Sequence, residues 1–403
     1  MALILLVSKH LPVFWTREGI DAMRHHNSVF HGLLKHVPWA CFDKLVDEHG
    51  SDARVRRLTT KSQFVALLYG QLAGASSLRE IETAVQSHRA RLYHVGAREI
   101  SRSTLADANA QRSHLVFSGL FATMVAMAGR GLRRSAADAV RLIDSTGIRL
   151  SGIACEWARF SKGVCGAKAH IVYDPDAQTP VYLAVTSAKV NDIVAARAMP
   201  VEPGATYVFD LGYYDFAWWA KLDAVGCRIV TRLKANTPLS RLRERPLPGG
   251  SDLAYDRVGF LPARLARSRK NPFQHPIREI GVVLDSGKTL RILSNDLEAP
   301  ADEIAALYKR RWAIELFFRW VKQTLKIRHF IGRSENAVRI QIAVALIAYL
   351  LLKLARDAVK IIDGALAFAR LIRTNLMHRR DITALLKPPT INDVNTKQLV
   401  LNL

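Results

Sequence analysis

DEIAALYKRRWAIELFFRWVKQTLK, Asp302 to Lys326, is the stretch on which the reading of the whole chain turns. Pro300 stands just ahead of it, and Asp302 and Glu303 fall in the first turn, where carboxylates offset the positive end of a helix dipole. No Gly or Pro interrupts the run, so it predicts a single helix of some seven turns. At ~100° per residue, Tyr308, Arg311, Glu315 and Lys322 share one face, with Arg319 beside them. Ile314, Phe317, Trp320 and Val321 face the other way. One acid therefore stands in a row of cations and a phenol, on a helix with an apolar back.

A lone Glu among cations is ordinarily a solvated face held by i,i+4 pairs, in which Arg311 and Lys322 merely neutralise Glu315. The spacing Tyr-x2-Arg-x3-Glu-x6-Lys argues for more. It arises by chance in roughly one chain in a few hundred at about 5% usage per residue. Upstream, Asp144 and Asp210 each end a strand-like run, AVRLID and TYVFD. A single Asp at a strand end is usually a turn cap; two of them together with Glu315 make an acidic trio.

The strands around those acids set the fold class. From Ala139 the period changes from helical to alternating: AVRLIDSTGIRL, AKAHIVYD and PVYLAVTSA are β-rich and separated by turn formers. A short helix is expected from Asn191-Asp192, then TYVFD, a helix through Trp218 and Trp219, and CRIVTRL. The order β-β-β-α-β-α-β implies an α/β, RNase-H-like core with parallel crossovers in its second half. Residues 236–300 carry turns at Pro246–Gly250 and strands near REIGVVL and TLRILSND, a β-rich insertion. Gly287-Lys288-Thr289 imitates a phosphate loop, but the nearest upstream Gly is Gly281, one residue too far, so a hairpin turn is expected.

From Asn27 to about Arg130 the pattern is helical. Thr60-x-x-Gln63 and Ser77-x-x-Glu80 have capping-box spacing, and Gly74-Ala75-Ser76 breaks the chain between two helices. A third helix, STLADANAQR from Ser103, carries Asn109 and Arg112 with Arg102 just before it. Arg and Asn are the side chains that read G and A edges in a major groove. The competing reading is a helical packing domain with a wet face.

Bulk numbers narrow the partners. Among 403 residues, 49% are hydrophobic, which fits a globular chain with real cores. The net charge of +23 predicts a polyanionic partner. Residues 301–403 hold 18 Lys+Arg against 8 Asp+Glu, whereas 131–235 hold 13 against 10, so acids concentrate where chemistry is suspected. Cys41, Cys155, Cys165 and Cys227 have no metal-ligand spacing and read as reduced structural thiols, consistent with a cytoplasmic protein. The longest apolar run, Ile342 to Leu352, is half a membrane span and reads as a buried helix, so no membrane partner is expected.

Taken together, Asp144, Asp210, Glu315 and the Tyr-Arg-Glu-Lys row resemble the DDE transposases of bacterial insertion sequences, in insertion-sequence family four. The resemblance covers roughly 27–375 and is strongest over 139–330. It implies residues 27–135 as a helical domain binding DNA ends and 136–235 as the first part of the core. The insertion follows at 236–300, the helix with the catalytic Glu at 301–330, and basic C-terminal helices and tail at 331–403. Residues 1–26 read as an extension or arm, with Met23 an alternative start.

The resemblance also implies catalysis by Asp144, Asp210 and Glu315. Three carboxylates at one point repel unless a cation lies between them. The family implies two Mg²⁺ ions, with Mn²⁺ able to substitute, Asp144 bridging them and Asp210 and Glu315 taking one each. DNA contacts are expected from Tyr308, Arg311, Lys322, Arg319, Trp312, Arg232 and Lys234, and from Arg102, Asn109 and Arg112. Partners implied are terminal inverted repeats, target DNA and a second copy of the chain in the synaptic complex, in a bacterial, nucleoid-associated setting. Related enzymes stack a flipped base on a Trp of the insertion during hairpin formation. Residues 236–300 contain none, leaving Phe273, Tyr255 or Phe260 to substitute. Alternatives are an RNase-H-like structure-specific nuclease and an inactive, transposase-derived DNA-binding protein.

Overall fold

The computed structural model describes residues 28–129, 138–150, 156–161, 164–247, 253–264, 269–325, 332, 334–360 and 364–386. The expected arm, Cys155, Lys326 and the tail from 387 lie outside the described residues. Six helices come first: α1 Val29–Leu34, α2 Trp39–Glu48, α3 Thr60–Ala73, α4 Leu78–Ser87, α5 Arg102–Gln111 and α6 Leu115–Gly129. The caps explain their starts. Thr59, one residue before the expected cap, accepts from Ser62 N–H, so the box shifts by one. Ser77 caps α4 through Glu80 N–H, while the Glu80 carboxylate accepts from Ser76 and not from Ser77. Gly74 closes α3 at φ +79°, a left-handed turn that suits glycine.

The sheet begins with β1 Val140–Leu150, β2 Arg159–Ser161, β3 Val164–Asp174 and β4 Thr179–Ser187. Then come α7 Asp192–Ala198, β5 Thr206–Phe209, α8 Phe216–Ala224 and β6 Arg228–Arg232. Strand order across this core is β4-β3-β1-β5-β6, antiparallel through β1 and parallel from β1 to β6, which is the RNase-H-like α/β arrangement. The insertion, β7 Ser240–Glu244, β8 Leu253–Phe260, β9 Ile277–Val283 and β10 Thr289–Ser294, does not stand apart. β10 pairs antiparallel with β6, and one sheet of ten strands results. Gly287 turns the β9–β10 hairpin at φ +76°, as its sequence context predicts. Inside the insertion, Arg278 grips Asp256 with two hydrogen bonds of 2.8 and 2.7 Å, both side chains 3% exposed.

After the sheet run α9 Ala301–Arg310, α10 Trp312–Thr324, α11 Glu335–Ala358, α12 Ala365–Asn375 and α13 Ile382–Leu386. The expected single helix is thus divided at Arg311. Bonds of three-residue spacing, Arg311 N–H to Tyr308 O and Ile314 N–H to Arg311 O, tighten the turn there. The apolar back is as expected: Ile314, Phe317 and Val321 are buried.

Two apolar clusters cover the two faces of the sheet. Leu142 and Val208 pack with Ile314, Phe317 and the helical layer. Their strand neighbours Ile143 and Phe209 pack with Trp218 and Trp219 of α8 on the other face. α11 is the centre of the helical layer. By length and composition it passes for a membrane span, but 72% of that apolar window is buried inside the protein, which makes it a core helix. It packs against α3, α5 and α6. Backbone bonds tie the start of α1 to the end of α12 and the residues after it, Val29 N–H to His378 O and Phe30 N–H to Leu376 O.

Burying one Leu, Ile or Val stabilises by ~1.5–3 kcal/mol, and α11 buries Ile340, Ile342, Val344, Leu346, Ile347, Leu350 and Leu351. That share is comparable to the ~5–15 kcal/mol net stability of an ordinary domain. A fragment ending before Ala139 is therefore expected to lack a cooperative thermal transition by circular dichroism. A sharp melt from that fragment would show that the first six helices stand alone.

Candidate active site

The register of the central strands brings the first two acids together. Parallel pairing of β1 with β5 ends at Ile143 and Phe209, and Asp144 and Asp210 are the next residue on each strand. Asp144 is not at the end of its strand, as expected, but within it: β1 continues to Leu150 against β3 alone. Alternation puts Asp144 on the Leu142 face, toward α10, and Ser145 on the Ile143 face. Asp144 Oδ1 accepts from Ser145 N–H at 2.7 Å. Asp210 Oδ1 accepts from Gly212 N–H at 2.8 Å and caps the tight turn Leu211–Tyr213.

Glu315 reaches the pair through Arg311. Its Oε1 accepts from Arg311 Nη2 at 2.5 Å, and Arg311 Nη1 lies 3.7 Å from Asp144 Oδ2. Burial pushes the Asp144 carboxyl up to about 6; the Ser145 N–H opposes this, Asp210 adds to it, Arg311 offsets it and Glu315 adds again. Burial likewise raises Tyr308, whose phenol also feels Arg311, Arg232 and Asp210. At 9% exposure Tyr308 is a wall of the site. The Tyr213 hydroxyl, raised first by burial, lies among Asp144, Asp192 and Asp210 near Ser145.

The other expected DNA contacts divide. Trp312 is exposed, with the Arg319 guanidinium 5.8 Å from its ring centre. Lys234 sits 4.4 Å over the Tyr214 ring, and Arg232 is exposed at the end of β6. Lys322 is half-buried on α10, two turns beyond Glu315. Asn109 and Arg112 are not available to read bases. Asn109 is 4% exposed and accepts from Gln63 Nε2 at 2.8 Å, while Arg112 donates to Gln63 Oε1 and Leu58 O. Their polar groups are consumed in joining α5 to α3. Arg102 remains exposed. Beside α5 the loop 49–58 instead lines an open cleft of about 940 Å³ with the exposed Arg54, Arg56 and Arg57. Phe273 is buried at 3% exposure and the Arg257 guanidinium covers the Tyr255 ring at 3.7 Å from its centre, which leaves neither as a free stacking surface.

Sequence reasoning passed over a second polar layer. On the Ile143 face, Ser145 Oγ donates to Asp192 Oδ1 at 2.8 Å, Lys168 Nζ donates to the same oxygen at 3.1 Å, and His170 Nδ1 lies 3.7 Å from it. Asn191-Asp192 reads in sequence only as a helix start, which hid this role. The available signal was Lys168 and His170 at period two on a strand bound for the interior.

The donor set fits a hard divalent cation. It is all oxygen, and burial together with the neighbouring acids raises Asp144, so a cation there would relieve the cost of its charge. Among the described residues the acids do not form a closed three-ligand group, because Arg311 supplies the positive charge between Asp144 and Glu315. An RNase-H-like core with an acidic trio on its strand pair and adjoining helix defines a class of enzymes that break and join nucleic-acid phosphodiesters. Residues 135–351 match the family described as Transposase DDE domain, and the chain belongs to that family.

Residues 25–98 match a domain of unknown function, DUF4372. A Sinorhizobium fredii protein named as transposase y4zB is 42% identical over 288 residues, 72% of this chain and 81% of its own. A Geobacillus stearothermophilus protein named as a transposase for insertion sequence element IS5377 is 28% identical, over 61% of this chain and 64% of its own. A Synechocystis protein named for element IS4SA is 43% identical over 36% of this chain and 40% of its own. The solved piggyBac transposase synaptic complex with hairpin DNA aligns at TM-score 0.45 and 13% identity, over 94% of this chain and 85% of that one. The family cuts and joins DNA and generally uses divalent metal ions.

Asp144 supplies a pH test. Its folded-state pKa of about 6 exceeds the unfolded value of 3.8, so the folded chain binds more protons between them. Stability should fall as pH rises through that window and stay lowered above it, by roughly 1–3 kcal/mol. Asp144→Asn should therefore melt higher than wild type at pH 7.5, with the difference vanishing near pH 4. An unchanged or lower melting temperature at pH 7.5 would contradict the raised Asp144, whose first cause is burial.

Proposed function

We propose that the chain excises and inserts its own insertion element, with Asp144, Asp210 and Glu315 holding two divalent ions, Mg²⁺ by preference. The observation that carries this reading is the meeting of Asp144 and Asp210 at the end of the parallel β1–β5 pair, with Glu315 joined through Arg311. When bound, such ions activate the attacking oxygen and stabilise the leaving 3′-oxygen in an in-line displacement at phosphorus. In cleavage water attacks a phosphodiester, the P–O3′ bond breaks, and the 3′-oxygen takes a proton. In joining, that 3′-hydroxyl attacks target DNA and a target 3′-oxygen leaves.

The chain's own residues position the DNA. Arg311 lies between two of the acids, and its planar guanidinium suits a phosphate once Glu315 turns to a cation. Lys322 and Arg319 continue the cationic row along α10, in keeping with the Tyr-Arg-Glu-Lys branch of insertion-sequence family four. The terminal repeats are held by the N-terminal helices through the loop 49–58 cleft, where Arg54, Arg56 and Arg57 meet the DNA backbone. Two copies of the chain pair the two ends, in the cytoplasm of a bacterial cell.

Asp144→Ala, Asp210→Ala and Glu315→Ala should each abolish Mg²⁺-dependent cutting and joining while binding to element ends persists. Near-normal strand transfer by any one of them would remove that residue from the site; cutting without joining in the wild type would favour a nuclease. The triple variant Arg54→Ala, Arg56→Ala, Arg57→Ala should do the reverse. It should weaken DNA binding and flatten the salt dependence by about three units of log–log slope. An unchanged slope would take the cleft out of the interface.

A further inference from the structure

The polar layer behind the acids centres on Asp192, which touches both of the elements that carry aspartates of the trio. One oxygen, Oδ1, takes Ser145 Oγ at 2.8 Å and Lys168 Nζ at 3.1 Å. Ser145 follows Asp144 directly, and its N–H holds the Asp144 carboxylate at 2.7 Å. The other oxygen, Oδ2, borders the turn that orients Asp210. A methyl group placed on Gly212 would meet Asp210 Oδ1 at 3.0 Å and Asp192 Oδ2 at 3.5 Å. The Gly212 N–H is itself the donor that fixes Asp210. A side chain here would press on Asp210 and only touch Asp192, and the Gly212 backbone has no positive φ.

The groups around Asp192 form a partly buried clamp, with the Asp192 side chain 22% and the Lys168 side chain 24% exposed. Lys168 lies across β3, in register with Gly147 of β1, and also donates to Val190 O at 3.2 Å. His170, paired with Ser145 across the same strands, is 5% exposed at its side chain and is anchored to Thr186 Oγ1 at 2.8 Å. Tyr213 closes the layer at 1% exposure. Asp192 has a hydroxyl and an ammonium on one oxygen, which fixes its direction, while its second oxygen remains beside the Asp210 turn.

We infer that Asp192 is a positioning residue for the metal site: it locks the Asp144 and Asp210 carriers, β1 and the Gly212 turn, into one geometry through Ser145, Lys168 and its contact at Gly212. The inference rests on the proposed metal-binding role of Asp144, Asp210 and Glu315. Asp192 itself faces the opposite side of β1 from Asp144, the side of Ile143, so it acts behind the ligands and is not one of them.

The test is titration of the full chain with Mn²⁺ alone, without DNA, read by calorimetry and by the paramagnetic signal of free Mn²⁺. Asp192→Asn should bind the same number of ions as wild type with about tenfold weaker affinity, and Ser145→Ala should weaken it in the same direction. The double variant should be no worse than Asp192→Asn, because both changes break one linkage. Melting curves taken without metal show that each variant is folded, and Asp192→Glu should recover part of the affinity. Wild-type affinity in Asp192→Asn, while Asp144→Ala is defective, would overturn the inference. So would the loss of one bound ion, which would make Asp192 a ligand, or independent and additive effects of the two single changes. Equal Mn²⁺ binding by wild type and Asp144→Ala would instead overturn the metal-site reading, and the inference with it.

Discussion

Mutual repulsion of carboxylates is the constraint around which this structure is arranged. Asp144 and Asp210 are forced side by side by strand register, and Glu315 is directed toward them from a helix packed on the same face. Burial raises the Asp144 carboxyl first, and the charges of Asp210 and Glu315 add to that rise. Arg311 answers the repulsion from one side by standing between Asp144 and Glu315. Asp192, with Lys168 and Ser145, answers it from behind by fixing the backbone that carries the first two acids. The acids are thus held by a packed frame and by the countercharge of Arg311.

The frame draws its rigidity from the helical layer. α10 presents Glu315 because Ile314, Phe317 and Val321 are buried against the sheet and α11. α11 in turn is enclosed by α3, α5 and α6, and Asn336 at its start accepts from His114 N–H while donating to Asn109 O. N-terminal helices, catalytic helix and C-terminal helices therefore share one apolar cluster. Movement of the N-terminal helices relative to the acids would have to break that cluster.

The same economy explains where the cations went. Arg112, Arg278 and Arg291 are spent inside the fold on Gln63, Asp256 and Glu279. Those that remain at the surface near the cleft and on α10, among them Arg54, Arg56, Arg57 and Arg319, are left to meet a polyanion.

The sequence by itself determined a good deal. Period and turn chemistry located the strands, because alternation and Gly287 act over a few residues; the spacing from Tyr308 to Lys322 identified the helix of Glu315, because helical geometry is local. Asp210 at a strand end and Glu315 on a helix face were legible for the same reason, whereas Asp144, expected at a strand end, lies within β1. What only the tertiary structure decided was everything that depends on a partner distant in the chain. Nothing local distinguishes Asn109, spent on Gln63 forty-six residues away, from an Asn that reads a base. Nor does Asn191-Asp192 look different from an ordinary helix start until Ser145 and Lys168 are brought to it across the sheet. The insertion's merger with the core sheet and the enclosure of α11 also belong to this class. Hydrogen bonds and packing between remote segments are selected by the whole folded chain, and a local pattern carries no record of them.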